Sequence, residues 1–173
     1  YRAQGFWLMA EVYSKRLKYK LASHALTNMS ETLADTSLWP LIFEHIKAKS
    51  WLAYSQHDFD SMFAILDHGI EFGSKHEDAL LQFDLHILYS ILAKKGGDNH
   101  KKYAYLNEAQ ALLLKHKLDE SNFAVVYYHF AIFSQETSNA VPYFEKILEL
   151  PRTDNNAWII DHSTELLIDQ YIR

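Results

Sequence analysis

Apolar residues recur at three- and four-residue spacing along almost the whole chain, and very little interrupts them. That pattern is the signature of one-sided helices. Only five glycines and three prolines occur in 173 residues. A β-sandwich or a doubly wound α/β domain needs many more turn residues than that. No segment shows a two-residue alternation, so the expected fold class is all-α.

The spacing predicts about nine helices. The first covers about 3 to 15, with Phe6, Met9, Ala10 and Tyr13 on one stripe, and the second about 18 to 32. Thr36-Ser37 offers an N-cap for a third helix that carries Pro40 in its first turn and ends near 56. His57-Asp58 breaks the pattern before a fourth helix from about 59 to 72, which ends near Gly73. A fifth spans about 77 to 95 and stops at Gly96-Gly97, since glycine readily takes the left-handed end conformation. Three more cover about 101 to 117, 120 to 134, and Ser138 to just before Pro151; a last one covers about 155 to 172.

Composition removes several function classes. The formal net charge is -5 and the basic residues form no run, which argues against nucleic-acid contact by this segment. No apolar stretch approaches the ~18 residues that a membrane helix needs. Cysteine is absent, and with it thiolate zinc sites, disulfides and thiol nucleophiles. The chain opens at Tyr1 and ends at Arg173 inside a helical pattern, so it reads as a piece of a longer polypeptide.

Motifs for chemistry are missing from the sequence. The ten histidines fall singly, and no two share a helix turn with a Glu between them. They read as surface or half-buried side chains, and no metal or cofactor is expected. Acid pairs at Asp58/Asp60, Glu77/Asp78 and Asp119/Glu120 sit at helix starts, where they complement the helix dipole better than they make a carboxylate dyad. Gly96-Gly97-Asp98 is a turn and lacks the spacing of a phosphate loop, and there is no Gly-x-Ser-x-Gly elbow. The expectation is a protein that is not an enzyme, with no catalytic residue assigned.

Helix–turn–helix units repeated along a chain invite a search for a period. Phe6, Met9, Ala10 and Tyr13, followed by Ala22 and Leu26, have the large, large–small, aromatic, then small–large spacing of a tetratricopeptide repeat. Ala124, Tyr127, Tyr128 and Ala131 precede Ala140, Phe144 and Pro151 in a similar way, with Tyr128 in the slot of the small residue. Ile46, Lys49, Ser50 and Ala53 lead to Met62 and Leu66. His86, Tyr89, Ser90 and Ala93 lead to Ala109 and Leu113, with about seven extra residues around Gly96 to His100. The chain resembles a degenerate tetratricopeptide-like domain of the kind found in bacterial transcription regulators and signalling proteins. Its units are about 3-34, 38-74, 77-117 and 120-151 with a capping helix 155-172, making one domain over 1-173. Read from Tyr19, Phe59, Leu106 and Thr137, the spacing is uneven and mostly longer than the ~34 residues of the consensus. An irregular helical bundle is the alternative.

The resemblance implies an α-solenoid of antiparallel helix pairs whose first helices line a concave groove. That groove would carry Gln4, Trp7, Glu11 and Ser14, then Glu44, Lys47, Trp51 and Tyr54, then Asp84 and Ile87, then Asn122, Val125 and His129. The residues chosen for partner binding are Trp7, Glu11, Lys47, Trp51, Tyr54, Asp84 and His129. Chaperone-tail binding is not expected, because Lys47 is the only cation in the slots that would hold a terminal carboxylate. The expected function is a cytoplasmic protein- or peptide-binding regulatory module of a larger regulator. The alternative is a scaffold or dimerisation domain without a small ligand, and self-association as a homodimer stays open.

Overall fold

A computed structural model describes residues 2–33, 39–134 and 139–172, with Trp39 by its backbone alone. Every regular element among the described residues is helical: α1 (Arg2–Lys15), α2 (Tyr19–Leu33), α3 (Trp39–Ser55), α4 (Phe59–Lys75), α5 (Ala79–Lys95), α6 (Asn99–His116), α7 (Ser121–Ser134), α8 (Val141–Leu148) and α9 (Ala157–Ile172). The Thr36-Ser37 cap and the Ser138 helix start lie outside the described residues.

The chain divides into two compact units, Tyr1–Tyr89 and Ser90–Arg173, and the division falls within α5. In the first unit α1 packs on α2, α3 on α4, and α3 also meets both α1 and α2. In the second, α6 packs on α7, α7 on α8, and α9 meets both α7 and α8.

One turn recurs. Leu17, His57, Glu77, Gly97 and Lys117 all have positive φ, between 50° and 81°. In each case the next residue donates its N–H to a carbonyl five back: Lys18 to Tyr13 (2.9 Å), Asp58 to Ala53 (3.0 Å), Asp78 to Gly73 (3.0 Å), Asp98 to Ala93 (2.9 Å) and Leu118 to Leu113 (3.2 Å). This is the Schellman closure of a helix C-terminus. The last four left-handed residues stand at 57, 77, 97 and 117, twenty apart, and the first stands forty before 57. Only one of the five is glycine. A Cβ in the left-handed region costs roughly 1–2 kcal/mol, which the recovered carbonyl bonds and the packing of the flanking helices offset.

After three of these turns an aspartate starts the next helix. Asp58, Asp78 and Asp98 accept the N–H groups of Ser61, Leu81 and Lys101 at 3.1, 2.8 and 2.9 Å. Asp119 accepts from Ser121 at 2.8 Å. The acids at helix starts are thus true caps as well as dipole partners. Asp58→Ala is expected to lower the urea midpoint of the first unit, read by far-UV circular dichroism, while Asp60→Ala changes it little.

The buried faces of α2, α4 and α6 repeat every forty residues. Ala22, Met62 and Lys102 share one position; Leu26, Leu66 and Leu106 the next; then Met29, Gly69 and Ala109; and last Leu33, Gly73 and Leu113, all of them buried. Ala10, Ser50 and Ser90 are the matching small positions on α1, α3 and α5, each 0–1% exposed.

The structure corrects three expectations. Gly96 to His100 is no insertion: α6 begins at Asn99, directly after the same turn, so Lys102 and Leu106 occupy the slots earlier given to Ala109 and Leu113. Lys102 can be buried because its stem packs while its ammonium sits over the Tyr103 and Phe133 rings, 4.8 and 5.6 Å from their centroids. Gly73 does not end α4, which runs on to Lys75; a Cβ there would lie 3.0 Å from Gln82 Cγ, so Gly73 permits the close approach of α4 to α5. Helix α8 is shorter than expected. Residues 139 and 140 precede it without helical structure, and Pro142 stands in its first turn, where its missing N–H costs least.

In the second unit, Ala124, Ala131, Phe144, Ile147, Ile159 and Leu167 form the core between α7, α8 and α9. The loop before α9 is held by the buried Asn156, whose Oδ1 accepts from Thr153 N at 2.7 Å and whose Nδ2 donates to Pro151 O at 2.9 Å.

Candidate functional site

Helices α1 and α3 lie against each other, and their i, i+4 pairs share a face. On α1 the pair is Trp7 and Glu11; on α3 it is Lys47 and Trp51. Small residues at Ala10 and Ala48 stand between them and let the backbones approach. The result is a cleft of about 290 Å³ lined by Trp7, Ala10, Glu11, Ser14, Lys47, Ala48 and Trp51. Four of the seven residues chosen from the sequence therefore meet in one place.

Both tryptophans are half-buried, and Trp7 rests one face against the core of the first unit. Each indole thus keeps part of its surface in the cleft. Tyr54 stands edge-on to Trp51, with 5.7 Å between ring centroids, and 6.1 Å from Phe59. It supports the Trp51 ring from the next turn and is not part of the cleft lining. The charges are paired locally: Lys15 Nζ donates to Glu11 at 2.7 Å, and Lys47 Nζ donates to Glu44 while lying 5.2 Å from the centre of the Phe43 ring.

Asp84 lies in a separate recess of about 200 Å³ in the same unit, with Pro40, Phe43, Glu44, Asp78, Leu80 and Leu81. Burial, then the nearby Asp78 charge, pushes its carboxyl up to about 6, with Lys47 pulling the other way. Among the described residues Glu44 Oε2, at the same recess, is buried without a hydrogen-bond partner. Ile87 is buried, because on α5 its side chain faces the interior.

His129 belongs to the second unit. It packs against Tyr128 and Phe133, each at 5.7 Å between ring centroids. Burial, then the Lys94 ammonium, pushes its imidazole down to about 4. It is a neutral, half-buried ring at neutral pH.

Phe43 was not singled out from the sequence, and Glu44 was placed in the groove with no sign of its unpartnered oxygen. Phe43 carried a signal, since it falls four residues before Lys47; the isolation of an oxygen atom is a tertiary property and leaves none. No group of three or more His, Asp or Glu able to hold a metal ion occurs among the described residues. No helix among them is long and apolar enough to cross a membrane.

No family model, no curated protein and no solved structure matches this chain.

Proposed function

We propose that the chain is a degenerate tetratricopeptide-like module, with a repeat of forty residues, that binds a protein or peptide segment along the face shared by α1 and α3. The recurring turn, the forty-residue burial pattern and the α1–α3 and α7–α9 contacts support a solenoid of antiparallel helix pairs. The observation that carries the binding reading is the cleft between Trp7 and Trp51. Two half-exposed indoles across a narrow apolar floor hold an aliphatic or aromatic side chain well, since large rigid rings bury area at little entropic cost. Glu11 and Lys47 at its border orient the partner's polar backbone and charges. Such a module serves as the regulatory part of a larger regulator, in which partner binding biases a fused effector.

The test is selection of displayed peptides on the 173-residue chain, followed by fluorescence anisotropy with the winning sequences. Trp51→Ala is expected to weaken them about 30-fold or more, in the range of aromatic hot spots, while circular dichroism stays native. Equal affinity for the native chain, Trp51→Ala and Trp7→Ala would sink this site.

A second reading, self-association, rests on the outward face of α1, where Leu8, Met9 and Val12 are each about half exposed and form a shallow apolar depression with Tyr13. Sedimentation equilibrium separates the two: a scaffold or dimerisation domain shows a concentration-dependent mass that Met9→Glu abolishes, and a peptide-binding monomer does not.

A further inference from the structure

The opposite face of α3 lines a second cavity, of about 320 Å³, closed by α2 and α4. Its wall carries Leu33, Ile42, Ile46, Ile65, Gly69 and Phe72, and its polar groups are Ser30, His45, Lys49 and His68. Three of these four are basic, and among the described residues no Asp or Glu lines the cavity. His45 and Lys49 are one helical turn apart, so they stand on the same side. His45 Nε2 lies 3.0 Å from the Leu26 carbonyl oxygen, which can only accept, so this nitrogen carries the proton and the ring is fixed in place. Among the described residues Lys49 makes no ion pair. A partly buried ammonium with no counter-charge is costly, and burial indeed lowers its proton affinity.

We propose that this cavity is a small-ligand site for an amphipathic carboxylate, its anionic head on Lys49 and its hydrocarbon body against Ile42, Ile46, Ile65 and Phe72. The apolar wall rules out a bare inorganic anion as the best occupant, because it would leave the larger part of the lining unused. An ammonium without an ion pair among the described residues disfavours a neutral hydrocarbon, because that would complete its desolvation without a partner. The volume is at the small end of the roughly 300–1,000 Å³ typical of ligand clefts, which suits a chain of a few to about ten carbons. The site is independent of the tryptophan cleft, and the two readings stand or fall separately.

The experiment titrates the full 173-residue chain with the straight-chain alkanoates from butanoate to decanoate, with octanol as the neutral match and inorganic phosphate as the head group alone. Calorimetry gives the affinity, and NMR follows the imidazole signals of His45 and His68 and the ε-methylene of Lys49. Octanoate is expected to bind one to one, with affinity rising about fourfold per added methylene until the cavity is full. Octanol and phosphate are expected to bind at least tenfold more weakly. Lys49→Met, which keeps the stem and removes the charge, is expected to cost octanoate at least tenfold, and Ile65→Trp to block it by filling the cavity. Trp51→Ala is expected to leave octanoate affinity within twofold. Equal binding of octanoate and octanol, equal binding of phosphate, or unchanged affinity in a folded Lys49→Met would overturn the proposal, as would the absence of saturable shifts across the series.

Discussion

Lowering the pH from 7.5 to 4.5 is expected to weaken both compact units, and His45 and His129 are the groups responsible. Each imidazole is pushed from 6.5 down to about 4: His45 by burial and then Lys49, against the opposing bond to Leu26 O, and His129 by burial and then Lys94. The folded state therefore favours the neutral ring. Between pH 6.5 and 4 the unfolded chain binds more protons than the folded one, so stability is fully present above 6.5 and is lost as the pH falls through that window. The expected loss is roughly 2–3 kcal/mol for each histidine by pH 4, enough to exhaust a large part of the stability of a small domain.

Asp84 works in the opposite sense. Its carboxyl is raised from 3.8 to about 6, so the folded state favours its protonated form and its contribution is present at low pH and lost as the pH rises through 6. It offsets part of the acid loss in the first unit. The pH dependence should accordingly be shallower in the first unit than in the second, where no carboxyl among the described residues is pushed up to oppose His129. Urea unfolding at pH 7.5 and 4.5 reads this directly. His129→Gln is expected to flatten the profile and Asp84→Asn to steepen it; identical slopes for all three proteins would contradict the assignment.

The second large effect concerns the repeated core. Leu66 and Leu106 are fully buried at positions forty residues apart, each on the face that its helix turns to its neighbours. Truncation to alanine at either is expected to cost about 2–5 kcal/mol, the transfer term plus the cavity left behind. Phe144, also fully buried, is expected to cost about 3–5 kcal/mol on the same grounds. Ile65 and Tyr105, each one residue earlier and only half-buried, serve as the control pair and should cost clearly less. Chemical denaturation of the two leucine variants and the two controls would show whether the forty-residue pattern is energetic as well as geometric. Leucine variants no costlier than their neighbours would remove it as a structural unit.

The small positions Ala10, Ser50 and Ser90 and the large ones Leu26 and Leu66 were legible in the sequence, because helical periodicity selects them whatever surrounds them. The third pair was misphased at Ala109 and Leu113. A sequence pattern does not place a charged residue in a buried slot, and the true occupant is Lys102, tolerated there only because the Tyr103 and Phe133 rings face its ammonium. The aspartates at 58, 78 and 98 mark the twenty-residue period openly. The turns that precede them do not, since Leu17, His57, Glu77 and Lys117 adopt a conformation usually left to glycine.

For the candidate site, Trp7 with Glu11 and Lys47 with Trp51 could each be read as a four-residue pair. Bringing the pairs together required α1 to pack on α3. Asp84 fell into a neighbouring recess and His129 into the other unit. His45 and His68 looked like isolated side chains and Lys49 like a repeat position, because two helices contribute them to one cavity.

The sequence by itself determined the helices, their order, their buried faces and most of their ends, since these depend on interactions within a few residues. The tertiary structure alone decided which faces meet, which charges lose their water and where a glycine marks a close approach instead of a stop. Those outcomes depend on atoms far apart in the chain, whose distances no local pattern encodes.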